Sequence, residues 1–145
     1  MIGFNNIATM GRLGNQMFQH ASTKGIARKI GVKYCIPPAN RPDFQIDNYG
    51  LFECFEMSNV DSVEFLNNGQ SPIVQEKHFH FEEKLFTMCP DNVSLSGFFQ
   101  TEKYFKHVED EVRSDYTFKK EWLEPCQEFM SQFDGKEVGF LHVRR

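Results

Sequence analysis

The sequence predicts an α/β fold in which helices flank a parallel β-sheet, and two observations lead to this prediction. Near the amino terminus an apolar run, a glycine turn, a helical pattern and a second apolar run follow one another. This order fits a βαβ unit, whose strands are parallel and which takes about 30 residues. The run Val138–Val143 is nearly continuous in apolar residues, as is typical of a central strand that is buried on both faces.

The first unit divides into three elements. We predict a strand over Ile7–Met10, a helix over Leu13–Ile30 and a second strand over Val32–Ile36. Apolar and small residues recur at helical spacing through the middle element. Gly31 supplies a stop for this helix, and Pro37 ends the second strand.

The rest of the chain has a less even pattern. Residues 40–92 carry prolines, paired asparagines and short aromatic runs, so we predict loops there with one strand near Ile73-Val74. The alternation over Val93–Phe99 predicts another strand, and Thr101 is placed to cap a helix after it. A further helix comes next, in which Pro125 fits only in or near the first turn. The apolar residues of these helices are Tyr104, Phe105, Val108 and Val112 in the first, and Trp122, Leu123, Cys126, Phe129, Met130 and Phe133 in the second.

Composition argues against some classes of function. The 145 residues are enough for one domain with its own core, and 40% hydrophobic with 25% charged residues is typical of globular proteins. A net charge of −4 without a basic tract disfavours a nucleic-acid partner. The four scattered cysteines lack zinc-ligand spacing, and neither a signal peptide nor an apolar run of about 20 residues is present. We therefore expect a cytoplasmic protein with reduced, buried cysteines and no transmembrane segment, and peripheral membrane association stays open.

The first cluster with chemical potential is the loop Gly11–Gln16, between a predicted strand and a predicted helix. A glycine turn there lets backbone N–H groups approach an anion, which the helix dipole also favours. The loop matches neither the dinucleotide fingerprint nor a P-loop. Arg12 adds a positive charge, while Asn15 and Gln16 add amide donors and acceptors. A tight turn with helix caps explains the same residues about as well.

The second cluster is the terminal His142-Val143-Arg144-Arg145, which closes the last predicted strand. Guanidinium groups bind phosphate through a planar, bidentate fork, which suits a diphosphate. A strand that simply emerges into solvent is an equally good interpretation.

The third cluster begins at Gly97, a residue that in a strand often marks close approach by a ligand or by another backbone. Phe98 and Gln100 come after it on one face of the chain. A core strand that leads into a capped helix is the more ordinary interpretation. All three clusters nevertheless end predicted strands, and parallel α/β sheets bind ligands along the carboxyl edge, so together they favour one common site.

Three stretches of the chain resemble the α-1,2-fucosyltransferases of bacterial and viral type, glycosyltransferase family eleven. The chain reads MGRLGNQMFQHA over Met10–Ala21, which is similar to the family's amino-terminal GGLGNQMFQYA. It reads SGFFQTEKYF over Ser96–Phe105, which is similar to the family's GYFQSEKYF. The final LHVRR of Leu141–Arg145 is similar to the start of the family's HxRRGD motif. The order and spacing of the three motifs agree with those of the family.

The resemblance implies a Rossmann-like domain that forms the amino-terminal half of a GT-B-like glycosyltransferase. It implies inverting transfer of L-fucose from GDP-β-L-fucose to the 2-hydroxyl of a galactose-containing glycan, with no metal or other cofactor required. Arg144 and Arg145 would bind the diphosphate as the sugar departs, and His142 would contact the donor or orient Arg144, so that Arg144 and His142 are the catalytic candidates. The other candidates are Gly14, Asn15 and Gln16 for donor binding, and Phe98 and Gln100 for the acceptor side.

The chain departs from the family pattern at its end. The Gly-Asp of the family motif does not come after Arg145, and neither do the later donor motifs. We therefore expect residues 1–145 to be the amino-terminal domain of a longer protein, without measurable transferase turnover alone. A non-catalytic α/β module that binds a nucleotide or a sugar is the alternative, and the coding sequence beyond codon 145 would separate the two.

Overall fold

A computed structural model describes residues 1–39 and 49–143 and confirms the α/β class. The strands of its sheet are β1 (Ile2–Gly3), β2 (Tyr34–Ile36), β3 (Ser62–Val63), β4 (Ile73–Gln75) and β5 (Val93–Ser96). The α-helices are α1 (Leu13–Ile30), α2 (Leu51–Cys54), α3 (Leu85–Met88), α4 (Glu109–Asp115) and α5 (Lys120–Ser131). Within the described ranges, no helix is long and apolar enough to cross a membrane.

The sheet is parallel throughout, with its five strands in the order β3-β2-β1-β5-β4. The chain crosses from β1 through α1 to β2, and its later return places β5 on the other side of β1. In the register, Gly3 pairs with Cys35 on one side and with Ser94 on the other. Strands β1 and β5 are therefore neighbours in the middle of the sheet although they are far apart in sequence, and open α/β sheets bind ligands beyond the carboxyl ends of their strands.

The helix predicted over Leu13–Ile30 is confirmed, and Gly31 ends it in the left-handed conformation with φ 74°. The helix is buried along most of its length although many of the buried side chains are polar. Gly25 faces the chain after β5 so closely that an added Cβ would lie 2.0 Å from the carbonyl oxygen of Tyr104. The absence of a side chain at this position is what allows α1 to pack there.

This contact gives a stability prediction. Gly25→Ala is expected to lower the free energy of unfolding by about 1–3 kcal/mol, since a backbone oxygen must move to admit the methyl group. Gly14→Ala in the same helix is the matched control, because nothing lies within 4 Å of its added Cβ. That change should raise the free energy of unfolding by up to about 1 kcal/mol through helix propensity. Urea unfolding of the two variants measures both effects, and equal midpoints would contradict the packing explanation.

The first strand was predicted too late in the chain. It lies at Ile2–Gly3, and Ile7–Met10 instead forms turns in which the Ile7 N–H donates to Phe4 O (3.1 Å) and the Thr9 N–H to Asn6 O (3.1 Å). Ala8 has a positive φ of 69°, which a strand does not allow. The apolar pattern correctly indicated burial, since Ile7 and Ala8 are both buried, but they are buried as part of turns.

The strand predicted over Val138–Val143 is also wrong. This segment has no regular secondary structure, and Leu141 is 91% exposed. A parallel strand needs a neighbouring strand for its backbone hydrogen bonds, and none of the described strands pairs with this segment. The apolar side chains of α5 are exposed as well, and Pro125 lies in the second turn of that helix rather than in the first.

The predictions for the middle of the chain agree better with the structure. The strand near Ile73-Val74 is confirmed as β4, and the strand Val32–Ile36 is confirmed as the shorter β2. The strand Val93–Phe99 stops at Ser96 because the chain turns at Gly97. Thr101 caps the next turn of the chain, with its Oγ1 accepting from the Lys103 N–H (3.4 Å). Two short 3-10 turns precede α4 where one helix was expected.

The cysteines are all free, but only one of them is buried. Burial raises the pKa of the Cys35 thiol to about 11, which keeps it protonated and unreactive at neutral pH. Cys54 and Cys89 are half-buried, and Cys126 is exposed on α5, so the expectation of four buried thiols was wrong.

Candidate functional site

The carboxyl ends of β1 and β5 are joined by hydrogen bonds from the backbone of Asn5 and the side chain of Asn6. The Asn5 N–H donates to Ser94 Oγ (2.9 Å), and Asn6 Nδ2 donates to Ser96 Oγ (3.1 Å). Asn5 also exchanges two hydrogen bonds with the backbone of Leu66 through its side-chain amide (2.8 and 3.1 Å). The carboxyl ends of β1 and β5 therefore carry a fixed polar surface, and the space beyond it is called the crevice.

The glycine loop forms one wall of this crevice. Gly11 has φ +81°, and an added Cβ would lie 1.9 Å from Asn15 Nδ2, so the Asn15 amide lies directly over the turn. Its Oδ1 accepts from Gln100 Nε2 (2.5 Å). This bond joins a donor-binding candidate to an acceptor-side candidate, which the sequence separates by 85 positions. Two of the three predicted clusters thus meet at the carboxyl edge of the sheet.

The other residues of the loop differ in their surroundings. Gly14 is exposed with open space above it. Gln16 is fully buried, and its Oε1 accepts from the Gly50 N–H (3.0 Å), which holds the start of α2 against α1. Of the three donor-binding candidates in the loop, Gly14 is exposed and Asn15 half-buried, whereas Gln16 lies in the interior.

Gly97 was expected to mark a close approach, and the group that approaches is Glu76. An added Cβ on Gly97 would lie 2.4 Å from Glu76 Cβ. The Glu76 carboxylate accepts from the N–H groups of Phe98 (2.7 Å) and Phe99 (3.0 Å). Glu76 comes directly after β4, so the ends of β4 and β5 are tied by a carboxylate that spans two backbone amides.

Two buried acceptors at the crevice have no partner among the described residues. Gln19 Nε2 donates to Gly97 O (2.9 Å) and Met10 O (3.4 Å), which fixes the orientation of the amide and leaves Oε1 unpaired. Asn6 Oδ1 is unpaired in the same way. Buried polar atoms are nearly always hydrogen-bonded, so these oxygens call for a donor such as a water or a ligand hydroxyl.

The terminal cluster is described only in part. His142 is exposed in the irregular segment after α5, and Arg144 and Arg145 lie outside the described residues. Phe98 is half-buried at the end of β5, where its ring stacks on that of Phe79 (centroids 6.3 Å apart).

Sequence reasoning missed the polar residues that build the floor of the crevice. Asn5 and Asn6 were missed because the first strand was placed after them, and a strand at Ile2–Gly3 would have put them at its carboxyl end. Gln19 was missed because a polar residue within a helix usually faces solvent. Glu76 could not be recognised as a site residue from the residues around it, because its hydrogen-bond partners are 22 and 23 positions away.

The arrangement is suited to recognising hydroxyl and amide groups. Its described polar groups are mostly neutral amides and hydroxyls, and the Glu76 carboxylate already accepts two N–H groups. Within residues 1–39 and 49–143, His, Cys, Asp and Glu side chains do not form a group of three or more that could hold a metal ion.

The fold defines the chain as a Rossmann-like α/β protein with polar groups at the carboxyl ends of its central strands β1 and β5. Comparisons of the chain with protein-family models, with curated proteins and with solved structures returned no match. Function is therefore inferred from the residues and geometry of the crevice and from the resemblance of the three motifs.

Proposed function

We propose that this chain forms the donor-side domain of an inverting galactoside 2-α-L-fucosyltransferase. The hydrogen bond between Asn15 and Gln100 carries the proposal, because it joins two of the motifs that resemble the fucosyltransferases at one edge of the sheet. The position of this bond beyond the carboxyl ends of β1 and β5 supports a ligand site there, since open α/β sheets bind ligands along that edge.

In the proposed reaction, the acceptor 2-hydroxyl attacks the anomeric carbon of GDP-β-L-fucose. The new bond joins the hydroxyl oxygen to that carbon, and the bond from the carbon to the β-phosphate oxygen breaks with its electron pair. GDP leaves, the hydroxyl proton passes to a base or to solvent, and the configuration inverts from β to α. In this proposal Arg144 and Arg145 stabilise the charge that develops on the diphosphate, with His142 beside them.

In the proposed site, the glycine loop would also contact the donor. Gly14 is exposed at the start of α1, where the helix dipole favours a negative group. Asn15 is held over the turn by Gly11 and by Gln100, so its amide is oriented before any ligand arrives. Preorganised groups of this kind bind with a smaller loss of conformational entropy.

Titration of the purified chain with GDP-β-L-fucose tests the donor part of the proposal. We expect Asn15→Ala to weaken binding at least tenfold, because it removes both an amide contact and the anchor for Gln100. Gln70→Ala is the matched control, since Gln70 is an exposed amide that precedes β4 and so lies towards the opposite edge of the sheet.

Two results would count against the proposal. One is equal affinity of both variants and the wild-type chain for GDP-fucose, and the other is no affinity at all. A transfer assay with a β-galactoside acceptor then separates the enzyme from the binding module that is its alternative. Fucosylated product from the chain or from a longer form of it supports the enzyme, whereas donor binding without product from either favours the module.

A further inference from the structure

We propose that Phe79 and Phe98 form an aromatic platform that binds the apolar face of a pyranose ring, on the acceptor side of the crevice. The inference deepens the proposed function, on which its assignment to the acceptor rests, by giving the sugar acceptor a subsite. It also adds Phe79, a residue that carries no functional signal in the sequence.

The geometry of the pair is that of a stacking surface. The two rings are nearly parallel, with their planes 26° apart and their centroids separated by 6.3 Å. Phe79 is 77% exposed, so one large apolar ring is held in solvent. Such exposure is costly for a phenylalanine unless a partner covers it, and aromatic rings at ligand sites are commonly covered in this way.

The platform stands on a rigid base. The Glu76 carboxylate holds the N–H groups of Phe98 and Phe99, and Gly97 lets that carboxylate approach the backbone. Phe99 has a positive φ of 52° and is completely buried, which fixes the turn in which Phe98 lies. The Phe98 side of the platform is therefore held before a ligand arrives, and it needs little ordering on binding.

Polar groups suited to sugar hydroxyls lie beside the platform. Gln100 is two residues beyond Phe98 and donates to Asn15, which leaves further amide donors and acceptors at the exposed edge. The buried, unpaired acceptors Asn6 Oδ1 and Gln19 Oε1 belong to amides that bond to Ser96 and Gly97, just before Phe98 in the chain. An aromatic face flanked by amides matches a pyranose, which has an apolar face of C–H groups and a rim of hydroxyl groups.

The carboxylate that holds the Phe98 N–H favours a neutral sugar over a nucleotide. Aromatic rings also stack on nucleobases. However, the group beneath Phe98 is the Glu76 carboxylate, which would repel a phosphate held nearby. The platform lies at the ends of β4 and β5, one strand away from the glycine loop that the donor is proposed to approach. We therefore assign the platform to the acceptor sugar and the glycine loop to the nucleotide of the donor.

Ligand-observed NMR with methyl β-D-galactopyranoside as the probe tests the assignment. Phe79→Ala should weaken galactoside binding at least fivefold, whereas Phe79→Trp should retain it, because indole offers a larger face. Phe129→Ala is the matched control, since Phe129 is 57% exposed on α5 and its ring contacts that of Phe133 rather than the platform. Circular dichroism and urea unfolding check that Phe79→Ala folds like the wild type, as expected for so exposed a side chain.

The outcomes separate the platform from the proposed function. If Phe79→Ala binds the galactoside as the wild type does, or if the wild type does not bind it, the platform is overturned, even where GDP-fucose binding still depends on Asn15. If galactoside binding depends on Phe79 but GDP-fucose does not bind, the platform stands as a sugar site and the fucosyltransferase proposal fails. Loss of GDP-fucose binding in Phe79→Ala would overturn the assignment to the acceptor.

Discussion

Asp115→Asn is expected to lower the free energy of unfolding by about 3–5 kcal/mol, because it leaves a buried ammonium without its carboxylate. Lys24 and Asp115 are both completely buried, and Lys24 Nζ lies 2.5 Å from Asp115 Oδ2. The second carboxylate near the ammonium is that of Glu111, at 3.6 Å and partly exposed. Asparagine can still accept the hydrogen bond that the Asn59 N–H donates to Asp115 Oδ1 in the wild type (2.8 Å). The loss of stability therefore measures mainly the removal of the negative charge.

Arg113→Ala is the matched control for this experiment. Arg113 also pairs with a carboxylate on α4, that of Glu109 (2.7 Å), but its side chain is 74% exposed. An exposed pair contributes less than about 1 kcal/mol, because water screens the charges. Urea unfolding at pH 7 compares the two variants, and similar losses would show that the buried pair is not a special source of stability.

A double substitution separates the buried charge from the lost contact. Lys24→Met in the Asp115→Asn background removes the unpaired ammonium and puts an apolar side chain of similar length in its place. Since buried ion pairs are often no more stable than well-packed neutral replacements, the double variant should be more stable than Asp115→Asn alone. A double variant that is less stable than either single variant would contradict this account.

The fold class was predictable from sequence because one βαβ unit was read almost correctly. The pattern of Leu13–Ile30 and the stop at Gly31 located α1, and α1 with β2 already implies a parallel sheet. The two wrong predictions were apolar runs taken to be strands without knowledge of the strands that would have to pair with them. Ile7 is buried in a turn, while Leu141 is exposed, although both lie in runs that look like strands. Hydrophobic spacing reports a tendency to be buried, and whether a strand forms depends on neighbours distant in sequence.

The candidate site was predictable only where local turn chemistry determined it. Gly11 and Asn15 lie close together in the glycine loop, and the resemblance of this loop to the fucosyltransferase motif marked both as candidate site residues. The contacts that complete the site join Asn15 to Gln100 and Glu76 to Phe98, and both span more than twenty positions. The burial of polar residues along α1 was equally hidden, because Lys24 and His20 are satisfied by groups from α4, β2 and the residues around them.

His20 is expected to make the protein less stable as the pH falls from about 6.5 to about 4. The ring is completely buried, and burial lowers its pKa to about 4, with the Asp115 charge opposing this shift and the Lys24 charge adding to it. The Tyr116 hydroxyl donates to Met17 O (2.6 Å), so its oxygen accepts from His20 Nδ1 (2.9 Å). His20 Nε2 is then the acceptor for the Tyr34 hydroxyl (3.0 Å), and the neutral ring is fully satisfied.

The sign of the effect is set by proton binding. Between pH 6.5 and 4 the unfolded chain binds a proton at this histidine and the folded chain does not. The unfolded state is therefore stabilised relative to the folded state as the pH falls. The loss reaches about 3 kcal/mol at roughly 1.4 kcal/mol per pH unit. Above pH 6.5 this group contributes no pH dependence. Arg28 lowers the pKa of Asp61 from its ordinary value of 3.8, so that pair weakens only at pH values below this window.

Urea unfolding at intervals of one pH unit from 7.5 to 4.5 measures the slope. His20→Gln should flatten the curve in this window whatever its effect on stability at pH 7.5, because glutamine can bond to the tyrosine hydroxyls but does not titrate. His78→Gln is the matched control, since His78 is exposed and should leave the slope as it is in the wild type. An unchanged slope in His20→Gln would show that other groups cause the acid sensitivity, and that the buried imidazole accepts a proton without cost to the fold.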